Sequence, residues 1–329
     1  MKNVVKHLAA VLLGLLVVNG FCAWYYNTAP YEHTDDRATD TVRRPGARVS
    51  QATEGMGAHA IDANGYNSAP DDRPISVLML GSSHTEGFNV AAGQDVSARL
   101  GALLGKRVYN LGMSAHTFTR NAANLPRALA RFKPADWVVL ETASVVFTRG
   151  QVEASMGDAL ERLPATRTPL PDFISNRPLS KRLYKQLLNL MQADEEEGEA
   201  VDYDDLPPEL LAEYEDSLTA WFAQLKAEAD AQGVGLIIWY HPHVLPDAEG
   251  NAVTDAPAVC LRAFHNACRR AGVTLVDLSD AFLRAWERER ILPHGFANTA
   301  LGVGHLNAEG HRLAAEALYE VIGRAGEAA

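Results

Sequence analysis

Cysteine is almost missing from this chain, with three in 329 residues. That excludes a disulfide-built scaffold. Cys22 lies in an apolar run, while Cys260 and Cys268 fall about two helical turns apart on one predicted helix, too far along its axis to bridge. All three read as small buried hydrophobes. Positive charge is also short, with 30 Lys and Arg against 41 Asp and Glu, a net charge of −11. Nucleic acid and anionic membrane surfaces are therefore excluded as natural partners. No internal repeat is present. The chain does have length and apolar content, 47% hydrophobic residues, sufficient to bury one large core.

There is one long apolar run. Lys2, Lys6 and His7 precede residues 8–26, which only Asn19 and Gly20 interrupt. This is about the minimum length for a membrane-spanning helix. Trp24, Tyr25 and Tyr26 fall where an interfacial aromatic belt belongs, and Glu32, Asp35 and Asp36 follow. Positive before and acidic after places the N-terminus in the cytoplasm and the bulk outside. A cleaved signal peptide is the competing reading, but Phe21-Cys22-Ala23 is a poor cleavage site, so residues 1–27 are read in preference as an uncleaved anchor at the inner (cytoplasmic) membrane, with the domain in the periplasm or extracytoplasmic space. Residues 28–73 are polar and aperiodic and read as a linker.

From residue 74 the pattern alternates. Strand-like runs cover 75–80, 107–110, 137–140, 235–240 and 274–276. Helix-like stretches cover 95–104, 121–132, 214–232, 258–271 and 308–323. Strands alternating with helices imply a parallel sheet covered on both faces, an α/β fold in three layers. Residues 150–212 break the rhythm as an insertion whose acidic stretches, 194–199 and 202–205, read as solvated.

The chemistry starts at the end of the first strand. The apolar run 75–80 stops at Gly81-Ser82-Ser83, with Gly87 four residues later. Such a turn lifts a hydroxyl to the rim of the sheet beside free backbone N–H groups. Far along the chain, His305-Leu306-Asn307-Ala308-Glu309-Gly310-His311 offers a base ahead of the last helix, with Asn307 as its N-cap. His311, inside that helix, reads as structural. His84, His116, Glu141, His241 and His243 fall at predicted carboxyl ends of strands. They read as the lining of a polar cleft, with no metal or other cofactor expected and with His84 and His116 assigned to substrate binding.

Gly81-Ser82-Ser83-His84-Thr85-Glu86-Gly87, Asn110-Leu111-Gly112 and His305-Leu306-Asn307-Ala308-Glu309-Gly310-His311 together resemble the SGNH (GDSL-type) hydrolases. The likeness is to the branch of membrane-anchored periplasmic carbohydrate O-acetyltransferases and esterases, over about residues 74–325. It implies a flavodoxin-like SGNH domain, Ser83 as nucleophile, His305 as base and Gly112 as an oxyanion donor. The resemblance is incomplete in three places. Ser82 replaces the family's aspartate in the first block, and residues 140–145 lack the third block's asparagine, leaving Ser144 or Thr142 as substitutes. Gly302, Val303 and Gly304 occupy the places of the aspartate that would orient His305. Three readings stay open: an acid from elsewhere, such as Glu141, Asp277 or Asp280; a bare Ser83–His305 dyad; or a non-catalytic protein that binds a glycan or a partner in an envelope assembly complex. The expected function is ester chemistry on an exported acylated carbohydrate or envelope polymer, by hydrolysis or acyl transfer, alongside a membrane-protein partner.

Overall fold

The computed structural model describes residues 2–25, 31–33, 41–155 and 207–327. In chain order the elements are α1 (Lys2–Tyr25), β1 (Tyr31–His33), β2 (Thr41–Arg43), β3 (Arg48–Gln51), β4 (Gly57–Ala60), β5 (Ile75–Leu80), α2 (Ser83–Glu86), α3 (Val96–Leu104) and β6 (Arg107–Asn110). They continue with α4 (Phe118–Phe132), β7 (Trp137–Thr142), α5 (Arg149–Ser155), α6 (Pro208–Ala231), β8 (Gly235–Tyr240), β9 (Val244–Pro246), β10 (Ala252–Thr254) and α7 (Ala258–Ala271). The last are β11 (Thr274–Asp277), α8 (Ser279–Glu289), β12 (His294–Gly295), β13 (Leu301–Leu306) and α9 (Ala308–Glu327).

Five strands form one parallel sheet in the order β11-β8-β7-β5-β6. Counted along the domain this is 2-1-3-4-5, the flavodoxin-like order, with its switch point between β5 and β7. Strand β5 shows why the sheet needs cover on both sides. Leu78 and Leu80 join one core with Leu125 of α4, Phe222 of α6 and Phe264 of α7. Val77 and Met79 face the other, with Leu100 of α3, Phe282 of α8 and Leu318 of α9. A strand buried on both faces reads as an unbroken apolar run, which is what the sequence has there. Cys260 and Cys268 are buried, and burial pushes the Cys268 thiol up to about 12.

Residues 28–73 are not merely a linker. Val42, Val49, Ile61 and Tyr66 are buried, and Arg43 of β2 makes a two-pronged ion pair with Glu86 at 2.8 and 2.9 Å. β3 and β4 form an antiparallel hairpin packed through Val49 and Ile61 on Phe88. The period was hidden because these strands are only three or four residues long: β2 is buried throughout, and β3 and β4 each bury a single side chain. The expected insertion lies mostly outside the described residues, as 156–206 do. Helix α1 contains a span, Asn3–Phe21, long and apolar enough to cross a membrane.

Candidate active site

β5 ends in the sharp turn expected. At Gly81 a β-carbon would land on the Thr85 hydroxyl and the Glu141 carboxylate, so only glycine lets the chain turn here. Ser82 then caps the four-residue helix α2, its Oγ accepting from His84 N at 3.2 Å, and Ser83 takes the first helical position. The first N–H groups of a helix have no partner within it, so the Ser83 N–H is left open.

Glu141 at the end of β7 anchors this turn from beneath. It accepts from Ser82 N at 2.6 Å, Ser82 Oγ at 2.8 Å, Thr85 Oγ1 at 2.8 Å and His241 Nε2 at 3.2 Å. Burial alone would raise its carboxyl pKa, but the bond and charge of His241, with the other donors, outweigh burial and hold it well below the usual range. Glu141 is thus an ionised support of the turn between β5 and α2, bound by both the N–H and the hydroxyl of Ser82.

His305 sits at the end of β13 and reaches Ser83. Its Nε2 lies 2.8 Å from Ser83 Oγ. Its Nδ1 lies 2.6 Å from Glu54 Oε2, and its backbone N–H donates to Glu54 Oε1 at 2.7 Å. Burial raises the Glu54 carboxyl, but the two bonds and the charge of His305 carry it below the ordinary value. The two bonds also fix the tautomer: Nδ1–H donates to the carboxylate, so Nε2 presents its lone pair to the serine proton.

Glu54 is the acid that sequence reading missed. It lies in the turn between β3 and β4, 251 positions from His305. Two asparagines clamp this turn. Asn298 accepts from Gly55 N at 2.9 Å and donates to Ala52 O at 3.1 Å, and Asn89 donates to Glu54 O at 2.9 Å. The acids expected for this role are engaged elsewhere. Asp277 pairs with His265 at 2.6 Å and accepts from Ser279 N at 2.8 Å. Asp280 is exposed on α8, 3.8 Å from Arg284.

Other expected contacts also move. The Gly112 N–H donates to Asn110 Oδ1 at 2.7 Å, so it is not available to an oxyanion. Glycine is required there because a β-carbon would strike the backbone of α2 at Glu86. Three residues later Ala115 adopts φ 69°, one of three non-glycine residues in the left-handed region among the described residues. The Ser144 hydroxyl is occupied within its own turn, with Val146 O at 3.2 Å. His116 is buried and bound through Nε2 to Thr41 Oγ1 at 3.0 Å, which leaves it no face for substrate. The His84 ring packs against His305 and His241, with centroids 5.1 and 4.5 Å away, and its Nδ1 accepts from Leu306 N at 3.2 Å. Asn307 caps α9 as expected, accepting from Glu309 N at 3.0 Å. His311 is structural as expected: its Nδ1 accepts from Val96 N, and burial lowers its pKa to about 3.

Comparison with solved structures finds the chain similar to several hydrolases. LAE5, an α/β hydrolase from the metagenome of Lake Arreo, is 19% identical, with a TM-score of 0.41 over 76% of this chain and 96% of its own. TesA is 16% identical, with a TM-score of 0.39 over 74% and 96%. The acetyl xylan esterase AlAXEase is 12% identical, with a TM-score of 0.41 over 75% and 100%. Scores this low say nothing of activity, and the sheet order stands on its own. No family model and no curated protein matches the chain.

Proposed function

We propose that the chain is an exported, membrane-anchored serine esterase or O-acyltransferase of SGNH type. The observation that carries this is the line of contacts Ser83 Oγ–His305 Nε2, His305 Nδ1–Glu54 Oε2, at 2.8 and 2.6 Å. A serine hydroxyl becomes nucleophilic when a correctly oriented base removes its proton. Ser83 Oγ attacks the acyl carbon while His305 Nε2 takes its proton. The tetrahedral oxyanion falls to the Ser83 N–H at the first position of α2, which has no partner within the helix. Collapse expels the alcohol, to which His305 returns the proton, and leaves an acyl-serine. Water then yields the esterase outcome, and a sugar hydroxyl the transferase outcome.

The reading assigns an acylated carbohydrate or envelope polymer as substrate. It places α1 in the inner membrane with the domain on the periplasmic side, beside a membrane-protein partner.

The test is labelling by a fluorophosphonate, which reacts only with an activated serine. Wild type should label at Ser83 and turn over p-nitrophenyl acetate, and Ser83→Ala should do neither. Absence of label on wild type, with hydrolysis unchanged in Ser83→Ala, would return the chain to the non-catalytic, glycan- or partner-binding reading.

A further inference from the structure

Behind the catalytic serine lies a group of imidazoles for which the reaction has no use. We propose that His84, His241 and His294 form a binding site for a zinc-class divalent transition metal, although the sequence pattern suggested none.

The three come from separate elements: α2, the end of β8 and β12. One ring nitrogen from each lies within 4.8 Å of the others. Their ring centroids are 4.5, 5.5 and 5.8 Å apart, so the three rings form a compact triangle. Zinc–nitrogen bonds of about 2.0–2.1 Å put tetrahedral ligand atoms roughly 3.3 Å from one another. His241 Nδ1 and His294 Nε2 already stand 3.4 Å apart, long for a hydrogen bond between them.

The surroundings suit a metal in two further ways. His241 directs its other nitrogen at Glu141 Oε1, the carboxylate–histidine pairing that fixes a ligand's tautomer and leaves Nδ1 as the lone-pair atom. His294 is fully buried, and its Nδ1 has no hydrogen-bond partner. The groups facing His294 are the rings of His84, His241, His243 and Phe282, none of them an anion that would favour an imidazolium.

Coordination requires His294 to move its ring proton from Nε2 to the unpartnered Nδ1, a change of tautomer with no net proton loss. His84 faces a different demand. Its Nδ1 now accepts from Leu306 N, so ligation through Nε2 places a proton on Nδ1 and breaks that bond. Leu306 follows His305 directly. Occupancy is therefore coupled to the strand end that carries the catalytic base. Three protein ligands leave a fourth position for water.

The experiment uses the full-length chain in detergent, stripped with chelator and re-equilibrated with zinc alone. Elemental analysis should find one zinc per chain, and cobalt(II) should give the intense visible bands of tetrahedral nitrogen coordination. His84→Asn and His294→Asn should each weaken zinc binding by at least about tenfold. His265→Asn, whose ring pairs with Asp277 outside the cluster, should leave it unchanged. A wild-type chain that retains no zinc overturns the proposal, as does zinc that all three variants retain equally. Should the cluster variants fail to fold, the cobalt spectrum of the wild type decides, and an octahedral spectrum overturns it.

Discussion

Replacing Glu54 with glutamine removes one negative charge and one acceptor while leaving the side-chain shape. The carboxylate now accepts from two donors of His305, the backbone N–H at 2.7 Å and Nδ1–H at 2.6 Å, one on each oxygen. A glutamine has a single acceptor oxygen. Either its amide NH₂ faces one of the two N–H groups, or His305 adopts the opposite tautomer and accepts at Nδ1. In that tautomer Nε2 carries a proton and cannot take one from Ser83. The comparable aspartate-to-asparagine change in a fully buried serine-protease triad costs about 10⁴ in kcat. Here the Glu54 and His305 side chains remain 20% and 30% exposed, so water can replace part of what is lost. We expect kcat to fall by about 10³, or roughly 4 kcal/mol at about 1.4 kcal/mol per tenfold. KM should change little, because Glu54 acts through His305. The assay is p-nitrophenyl acetate hydrolysis by the full chain, with Ser83→Ala as blank. A Glu54→Gln rate above a tenth of wild type, with Ser83→Ala inactive, would refute the orienting role and leave a Ser83–His305 dyad.

Further predictions concern support and pH. The Arg43–Glu86 pair is buried on both sides, at 5% and 2% side-chain exposure. Arg43→Met should therefore lower stability by about 3–5 kcal/mol, seen in chemical denaturation, because the Glu86 charge is left without its cation. A loss below about 1 kcal/mol would contradict that account. Ala115→Gly relieves a left-handed alanine and should raise the melting temperature or leave it unchanged, with activity kept. Ala115→Val should lower the melting temperature, and an unchanged value would refute the strain at this position. Because the Glu54 carboxyl is depressed, its contribution to stability is complete above the ordinary value of 4.5 and is lost as pH falls through the lowered folded value. Denaturation between about pH 6 and pH 3 should thus show a smaller acid loss in Glu54→Gln than in wild type; identical slopes would refute it.

Much of the sheet was legible because its strands are buried on both faces. The runs 75–80, 107–110 and 235–240 end where β5, β6 and β8 end, and 258–271 coincides with α7. Ser83 and His305 were legible because each sits at a punctuation point, a glycine turn and a helix cap. Glu54 was not. It belongs to a hairpin of two four-residue strands, and nothing local marks one acid among the polar residues of that stretch. Gly112 misled for a related reason: a glycine in a βα turn fits both close packing and oxyanion binding, and only the bond to Asn110 separates them.

The Glu54 hairpin sets a limit on how this protein can be trimmed. A fragment starting at residue 74 would keep all five strands of the parallel sheet, yet would lose Val42 and Tyr66 from one core, Arg43 from Glu86 and the carboxylate at His305. Such a fragment should be nearly inert and should unfold at lower denaturant than the full chain. Adding the 41–73 segment as a separate peptide offers a complementation assay, in which recovered turnover measures docking of the hairpin alone.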